Sequence, residues 1–567
     1  MSLHEPPQRT DSSATDPPQA GAGHAEQSQP VDRVIFGVSA ALVVAFVVWG
    51  VASTDTLSGV SAAVLAAVIT GGGWAFVLVA SGFVVFALWL AFSRYGKIPL
   101  GADDEAPEFR TVSWIAMMFS AGMGIGLMFY GVAEPLAHFT SPPPGTVAAG
   151  SPQALDVAMA TTLFHWTLHP WAIYAVVGLA IAYSTFRRGR RQLISSAFAP
   201  LLGERHTEGA FGKLVDILAI FATLFGSAAS LGLGALQIGA GLQLNGVPAV
   251  GEVLLVGIIV VLTIAFVCSA VTGIANGIQW LSNINMVLAG VLALVVFVAG
   301  PTILILNLIP TAIGDYFGDL ADMAARTAAT GGDGTAEWLA GWTVFYWAWW
   351  ISWTPFVGMF IARISRGRSI KQFVVGVLLI PSAVSLLWFA IFGGAAINLQ
   401  RSGTDLAAQS TEGQLFGLLN SMPLGAVLSI IAMILVAIFF VSGADAASIV
   451  MGTLSQKGTI EPQRWIVVFW GVVMGAIAAI MLIIGAGKGD ALTGIQNITI
   501  IMAAPFALVM VALCVALAKD LHDDPLMRRD RRATAAVEQA VDHGTKNYGD
   551  EFIVSVKQHP DKRNRDG

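Results

Sequence analysis

The densest run of chemically distinctive residues lies between Trp338 and Trp353. Trp338, Trp342, Trp347, Trp349, Trp350 and Trp353 crowd this stretch, with Phe345 and Tyr346 among them. Phe345, Trp349 and Trp353 step by four, so in a helix they share one face. A face of aromatic rings attracts a quaternary ammonium, a cation with no N–H to donate, by roughly 2 kcal/mol or more per desolvated contact. Trp338 and Trp342 also fit an interfacial belt, and aromatic core packing accounts for the run without any ligand. A second cluster, Trp166, Trp171 and Tyr174, surrounds His165, His169 and Pro170. The two histidines are four apart, but no third metal ligand accompanies them in the sequence. Pro170 reads as a kink.

Gly122, Gly124 and Gly126 alternate inside an apolar run. Each lowers helicity. Two readings fit: a helix broken at mid-membrane, whose free carbonyls hold ions and substrate, or close packing between small residues. A phosphate loop is a poor reading, because the Lys and Ser/Thr it needs do not follow. Glu134 and Asp445 are carboxylates in apolar surroundings, functional candidates by default. Both fall near span ends, where solvation or helix capping explains them equally well. A sodium site needs only carbonyls and hydroxyls, which Ser442 supplies, as do Thr223 and Ser227 on one helical face.

Positioning these residues is the task of a membrane body. The chain has 567 residues, 55% of them hydrophobic and 12% charged, against about 25% charged in soluble domains. That composition argues against a disordered chain or a soluble enzyme. The net charge of −6 offers no basic surface to nucleic acid. A crossing helix needs about 20 apolar residues. Twelve such spans are expected: 34–51, 74–92, 114–130, 161–186, 214–238, 253–267, 281–308, 342–361, 373–397, 424–441, 465–484 and 495–517. The loops after the second, fourth, eighth and tenth spans hold fifteen Lys and Arg, and the opposite loops only Arg326, Arg401 and Lys488. The positive-inside rule makes the rich side cytoplasmic and puts both termini there. Residues 1–32 read as a disordered cytoplasmic tail, 33–518 as the membrane domain and 519–567 as a cytoplasmic C-terminal tail.

Two further segments stand out. Ile313, Tyr316, Phe317, Leu320 and Met323 recur at helical spacing and predict an amphipathic surface helix over 311–326. The C-terminal tail carries Arg528, Arg529, Arg531 and Arg532 before a helix-compatible run over 533–541. It reads either as a solvated tail or as a segment docking on anionic lipid or on the protein itself. Cys268 and Cys514 sit in apolar runs and read as buried small hydrophobes.

Together, GMGIGLMFYGVAEPL from Gly122, HWTLHPWAIYA from His165 and FYWAWWISWTPFVGMFIARISRGRSI from Phe345 resemble the betaine/choline/carnitine transporter family over nearly the whole apolar body. The resemblance implies an all-α integral membrane fold of twelve helices, two N-terminal ones followed by two inverted five-helix repeats. It implies a non-enzymatic secondary transporter in the cell membrane that imports a compatible solute for osmoprotection, with no cofactor beyond sodium as coupling ion; a sodium-independent exchanger, or a proton-coupled carrier of carnitine, choline or ectoine, is the alternative. Phe345, Trp349, Trp350 and Trp353, with Met123, Gly122, Gly124 and Gly126, would form the substrate site. Trp166, Trp171 and Tyr174 would be an accessory aromatic cluster. One sodium would lie among Ser120, Met123, Phe439 and Ser442, and another at Thr223 and Ser227 near Phe356. A hydroxyl residue is expected where this chain has Gly443. Choline carriers of the family tend to place an aspartate where Gly126 stands here, so the anion-free site suits a zwitterion such as glycine betaine. A homotrimer among membrane lipids is implied by the resemblance alone.

Overall fold

The computed structural model describes residues 30–122, 124–248, 251–272, 275–329, 334–486 and 491–555. The sequence expectation for the N-terminal tail therefore falls, up to residue 29, outside the described residues. The fold is all-helical. α1 (Arg33–Ala52) and α2 (Thr54–Phe92) come first. Two broken spans follow: α3 (Thr111–Gly122) with α4 (Ile125–Thr140), then α5 (Pro152–Trp166) with α6 (Leu168–Ala182). α7 (Ala210–Leu244), α8 (Glu252–Thr272) and α9 (Ala275–Ala299) complete the first half. After the surface helix α10 (Thr302–Gly318) come α11 (Phe345–Ile364), α12 (Ile370–Arg401), α13 (Gly425–Ser455), α14 (Arg464–Ala486) and α15 (Ala491–His522). α16 (Pro525–Tyr548) closes the order.

Among the described residues nine helical segments are long and apolar enough to cross a membrane alone, and a bent pair makes a tenth. The other two expected spans are the third, divided at the glycines, and the eighth, where a π-helical turn (Ala340–Val344) precedes α11. The two halves pack with partners exchanged. α4 lies on α12 as α11 lies on α6, and α7 contacts α14 and α15 as α13 contacts α8 and α9, while α7 meets α13 and α8 meets α14. A two-fold relation between two five-helix repeats requires such reciprocity.

Several expectations need correction. α2 starts at Thr54, twenty residues before the expected Trp74, because the helix runs straight through Gly71, Gly72 and Gly73. The seventh span ends at Ala299 and not at Leu308. Gly300 and Pro301 break it, and α10 leaves the segment over 283–299 at 108°. Proline there lacks the N–H to continue the ladder. The expected amphipathic face is divided: Tyr316 and Met323 are buried, whereas Ile313 and Phe317 are exposed beside Ile303 and Leu306. Cys268 is exposed on α8 and Cys514 is half-buried, so neither is the fully buried hydrophobe expected.

The cation-rich loops meet on one face. Arg366 pairs with Glu105 at 2.6 Å, and Arg187 with Asp103 at 2.6 Å. The tail docks on this same face. Asp524 accepts from Arg187 through both oxygens, at 2.9 and 3.0 Å, and from the Tyr183 hydroxyl at 2.8 Å. Asp520 pairs with Arg188 and Arg190, and Asp530 with Lys97. Asp524 also caps α16 by accepting from the Leu526 amide at 2.8 Å, as Asp commonly does. The tail helix therefore begins at Pro525, eight residues ahead of the run expected from Ala533.

Candidate functional site: an aromatic cage at a broken helix

The glycines break the third span in two. Gly124 is extended, at φ −171° and ψ −178°, and serves as the N-cap of α4. The first turn of α4 thus begins inside the bundle with amides free of intrahelical partners, an arrangement that favours negative charge. Gly126 sits in that turn. A methyl group there would lie 2.8 Å from the Trp166 ring and 2.9 Å from the Trp349 ring, whereas one at Gly124 would meet nothing within 4 Å. Gly126 is therefore where the half-helix comes up against the aromatic rings.

The fourth span breaks at Thr167, whose φ −117° and ψ −108° are not helical, and restarts with Pro170 in the first turn of α6. The break frees carbonyls. The Trp350 indole donates to that of His165 at 3.0 Å. Trp166 ends α5, while Trp171 and Tyr174 stand on α6. These three face α11.

One cavity gathers the result. Trp166, Trp171, Tyr174, Trp349, Trp350 and Trp353 supply its rings, Gly124 and Gly126 its helix end, and Leu127, Pro170, Val357 and Ser385 the remainder. None of these lining residues carries a charge. Trp349 and Trp350 stack at 4.7 Å, and Trp166 meets Trp350 edge-on at 4.9 Å. Trp353 meets Trp349 edge-on at 6.1 Å. The tryptophan run of α11 and the expected accessory cluster thus line one cavity. Phe345 does not line it. It is buried behind the cage, stacked on Trp349 at 5.5 Å. Leu127, Val357 and Ser385 join unannounced, since nothing in their type or spacing marks them.

α7 braces the cage from the other side. The Trp353 indole donates to the Gly226 carbonyl at 3.0 Å, and the Trp349 indole to the Ser230 hydroxyl at 3.2 Å. On the same helix Thr223 and Ser227 are buried, and their hydroxyls have no hydrogen-bond partner among the described residues. Buried hydroxyls without partners are uncommon, and two of them one turn apart suit a bare cation. Phe356 stands one turn beyond Trp353, 5.9 Å from it ring to ring. At the other expected ion position, Met123 lies outside the described residues, as does the side chain of Ser120. Ser442 donates to the Ile438 carbonyl at 2.9 Å, within a turn of Phe439. Gly443 faces open space: a methyl group there would meet nothing within 4 Å.

The two histidines of the fourth span go to different partners. His165 contacts Glu134, its Nδ1 2.6 Å from Oε1, and its Nε2 lies 3.0 Å from the Thr343 hydroxyl. His138 Nε2 lies 3.5 Å from the same Oε1. His169 instead stacks on Trp347 at 5.0 Å and reaches Ser81. Glu134, His138 and His165 bring metal-type donor atoms within 4.8 Å of one another. The 2.6 Å pair nevertheless has hydrogen-bond spacing. Two ligands of one tetrahedral ion, each about 2.0 Å from it, would stand roughly 3.3 Å apart. Glu134 is fully buried and also accepts from the Trp166 indole at 2.6 Å and from the Tyr346 hydroxyl. Solvation and capping, the alternatives left open by sequence, therefore do not describe it. Asp445 is buried in α13.

A broken helix pointing into a neutral aromatic cage, held by two halves that exchange partners, is an arrangement suited to a secondary transporter. Residues 34–526 match the model of the betaine/carnitine/choline family of transporters, and the chain belongs to that family. It is 48% identical to the betaine/ectoine transporter LcoP of Corynebacterium glutamicum over 93% of this chain and 84% of that protein. It is 46% identical to the glycine betaine transporter OpuD of Bacillus subtilis over 86% of this chain and 94% of that one.

Proposed function

We propose that the protein imports a zwitterionic compatible solute, glycine betaine foremost, by sodium-coupled alternating access. The observation that carries this reading is the juxtaposition, in one cavity, of an aromatic cage and the N-terminus of α4. A trimethylammonium group has no proton to donate, so ring faces are its natural partners. A carboxylate on the same molecule suits the amides of the first helical turn. A lining without charge matches a substrate whose own charges cancel. The names of the relatives favour betaine, with ectoine as a second zwitterion of the same kind.

Sodium would occupy the Thr223–Ser227 position, on the helix that braces Trp349 and Trp353. A second ion would sit by Ser442, at the broken third span. Sodium-independent exchange is the competing reading, and the missing side chain at Gly443 favours it. We place both termini in the cytoplasm of a cell-membrane protein and expect a homotrimer, with α10 as a contact.

Labelled-betaine uptake into proteoliposomes, with and without an inward sodium gradient, tests the proposal. Accumulation should require sodium. Uptake indifferent to sodium overturns the coupling, and absence of saturable betaine uptake overturns the substrate.

A further inference from the structure

We infer that Glu134 is a positioning and specificity residue of the cage, fixing Trp166 and Tyr346 by hydrogen bonds and polarising their rings from behind the uncharged lining. This rests on the reading of the cavity as a quaternary-ammonium site.

Glu134 lies eight residues beyond Gly126 on α4, about 12 Å along the helix. Oε2 accepts from the Trp166 indole at 2.6 Å and from the Tyr346 hydroxyl, and Oε1 meets His165 Nδ1 at 2.6 Å. An indole N–H can only donate. Two donors converge on Oε2, and as part of the same inference we take Glu134 as ionised, with His165 Nδ1–H the donor to Oε1. A charge in the membrane interior is costly and needs partners, and three side chains from two other helical segments converge to provide them.

Two of those partners belong to the cage. Trp166 lines the cavity. Tyr346 lies behind the lining, stacked on Trp350 at 5.8 Å and edge-on to Trp166 at 5.5 Å. Charge-assisted hydrogen bonds are short and directional, so they fix the planes of both rings. Hydrogen-bonded groups also polarise one another. A carboxylate accepting an indole N–H and a phenol O–H pushes electron density toward the ring faces, where a cation is held. The cavity thus stays open to a zwitterion's carboxylate, while its rings are biased toward the ammonium end.

Charge and shape separate in two substitutions. Glu134→Gln keeps the shape and loses the charge, whereas Glu134→Asp keeps the charge and shortens the arm. Betaine dissociation constants from tryptophan fluorescence, together with uptake kinetics, should rank wild type, Asp, then Gln. The Gln variant should bind about tenfold more weakly, with the loss in KM and not in maximal rate. Tyr346→Phe removes one donor with little disturbance and should weaken binding about threefold. It decides the matter alone if the Glu134 variants do not fold. Gln binding as well as wild type, Gln outranking Asp, or an unchanged Tyr346→Phe overturns the inference. A wild-type protein that does not bind betaine overturns the substrate reading instead.

Discussion

Replacing Gly126 with alanine adds one methyl group where the broken helix meets the cage. That methyl would lie 2.8 Å from the Trp166 ring and 2.9 Å from the Trp349 ring. Carbon atoms settle at about 3.5–4.0 Å, so the rings must retreat by roughly 1 Å. Neither is free to do so. Trp166 is tied to Glu134, and Trp349 to Ser230 and into the stack with Phe345 and Trp350. Overpacking of this kind costs about 1–3 kcal/mol, and the helix preference for alanine returns at most about 1 kcal/mol. A net 1–2 kcal/mol borne by the binding-competent cage weakens betaine binding about 5- to 30-fold. Gly82→Ala is the control. Its methyl meets nothing within 4 Å, and it stands on α2 outside the cavity lining, so binding should stay within about twofold. Fluorescence titration of the purified protein and the KM for uptake measure both. A Gly126→Ala protein that binds like wild type, or a Gly82→Ala protein that loses as much, would refute the packing argument.

Trp353→Leu should cost about 2 kcal/mol of betaine binding, or about 30-fold, and Trp353→Phe distinctly less; equal binding by all three in the same titration would make Trp353 packing alone. Thr223→Val and Ser227→Ala should raise the sodium concentration for half-maximal uptake at least about tenfold, the loss of one ligand to a bare ion. Gly443→Ser, which has room for its side chain, should lower that concentration, and sodium-activation curves check all three. Asp524 tests the docked tail. Burial pushes its carboxyl up, but hydrogen bonds from Arg187, Tyr183 and the Leu526 amide, with the Arg187 charge, outweigh this and leave it below the ordinary carboxylate range. Its contribution to stability is therefore present above the unfolded value of about 3.9 and fades as pH falls through the lower folded value. Asp524→Asn should remove about 1.5–3 kcal/mol at neutral pH, seen as a lower melting temperature in detergent and faster tryptic cleavage at Arg528 and Arg529, and the difference between variant and wild type should shrink as pH falls through the lowered folded value.

The spans were legible because a bilayer imposes a length: wherever about 20 apolar residues ran together, a helix followed. What misled was local. Gly71 to Gly73 look like a breaker, yet glycine is common within membrane helices, and α2 continues through them. At Gly300–Pro301 the opposite occurs. Hydropathy runs on to Leu308, and the apolar count conceals the break at Gly300–Pro301, where glycine loosens the backbone and proline supplies no amide. The tail helix was foreseen only in part, since its start depends on Asp524 being held by Arg187 and Tyr183, more than three hundred residues away.

The cage shows where a face argument reaches its limit. Steps of four through Phe345, Trp349 and Trp353 describe one stripe of α11. Steps of four, three and four through Tyr346, Trp350, Trp353 and Val357 describe its neighbour, rotated by about 100°. Both satisfy helical spacing, and aromatic density alone cannot choose between them. Tertiary contact decides: α6 lies against α11 and carries Trp171 and Tyr174 to the Trp350 side, so the cavity takes Trp349 and Trp353 from the first stripe and Trp350 and Val357 from the second, and leaves Phe345 and Tyr346 behind it. Tyr346, behind the lining, turns its hydroxyl to Glu134. A sequence can therefore mark Glu134 as an unusual carboxylate in apolar surroundings. It cannot say that an indole, a phenol and an imidazole from two other helical segments will converge on it, because that depends on how α5 and α11 are rotated. Rotation is fixed by packing, including close approaches such as Gly226 against Ser352, where an added methyl would come within 2.0 Å of the hydroxyl. The chemistry of the cage was written in residue types, but its charge balance emerges only when those helices are in register.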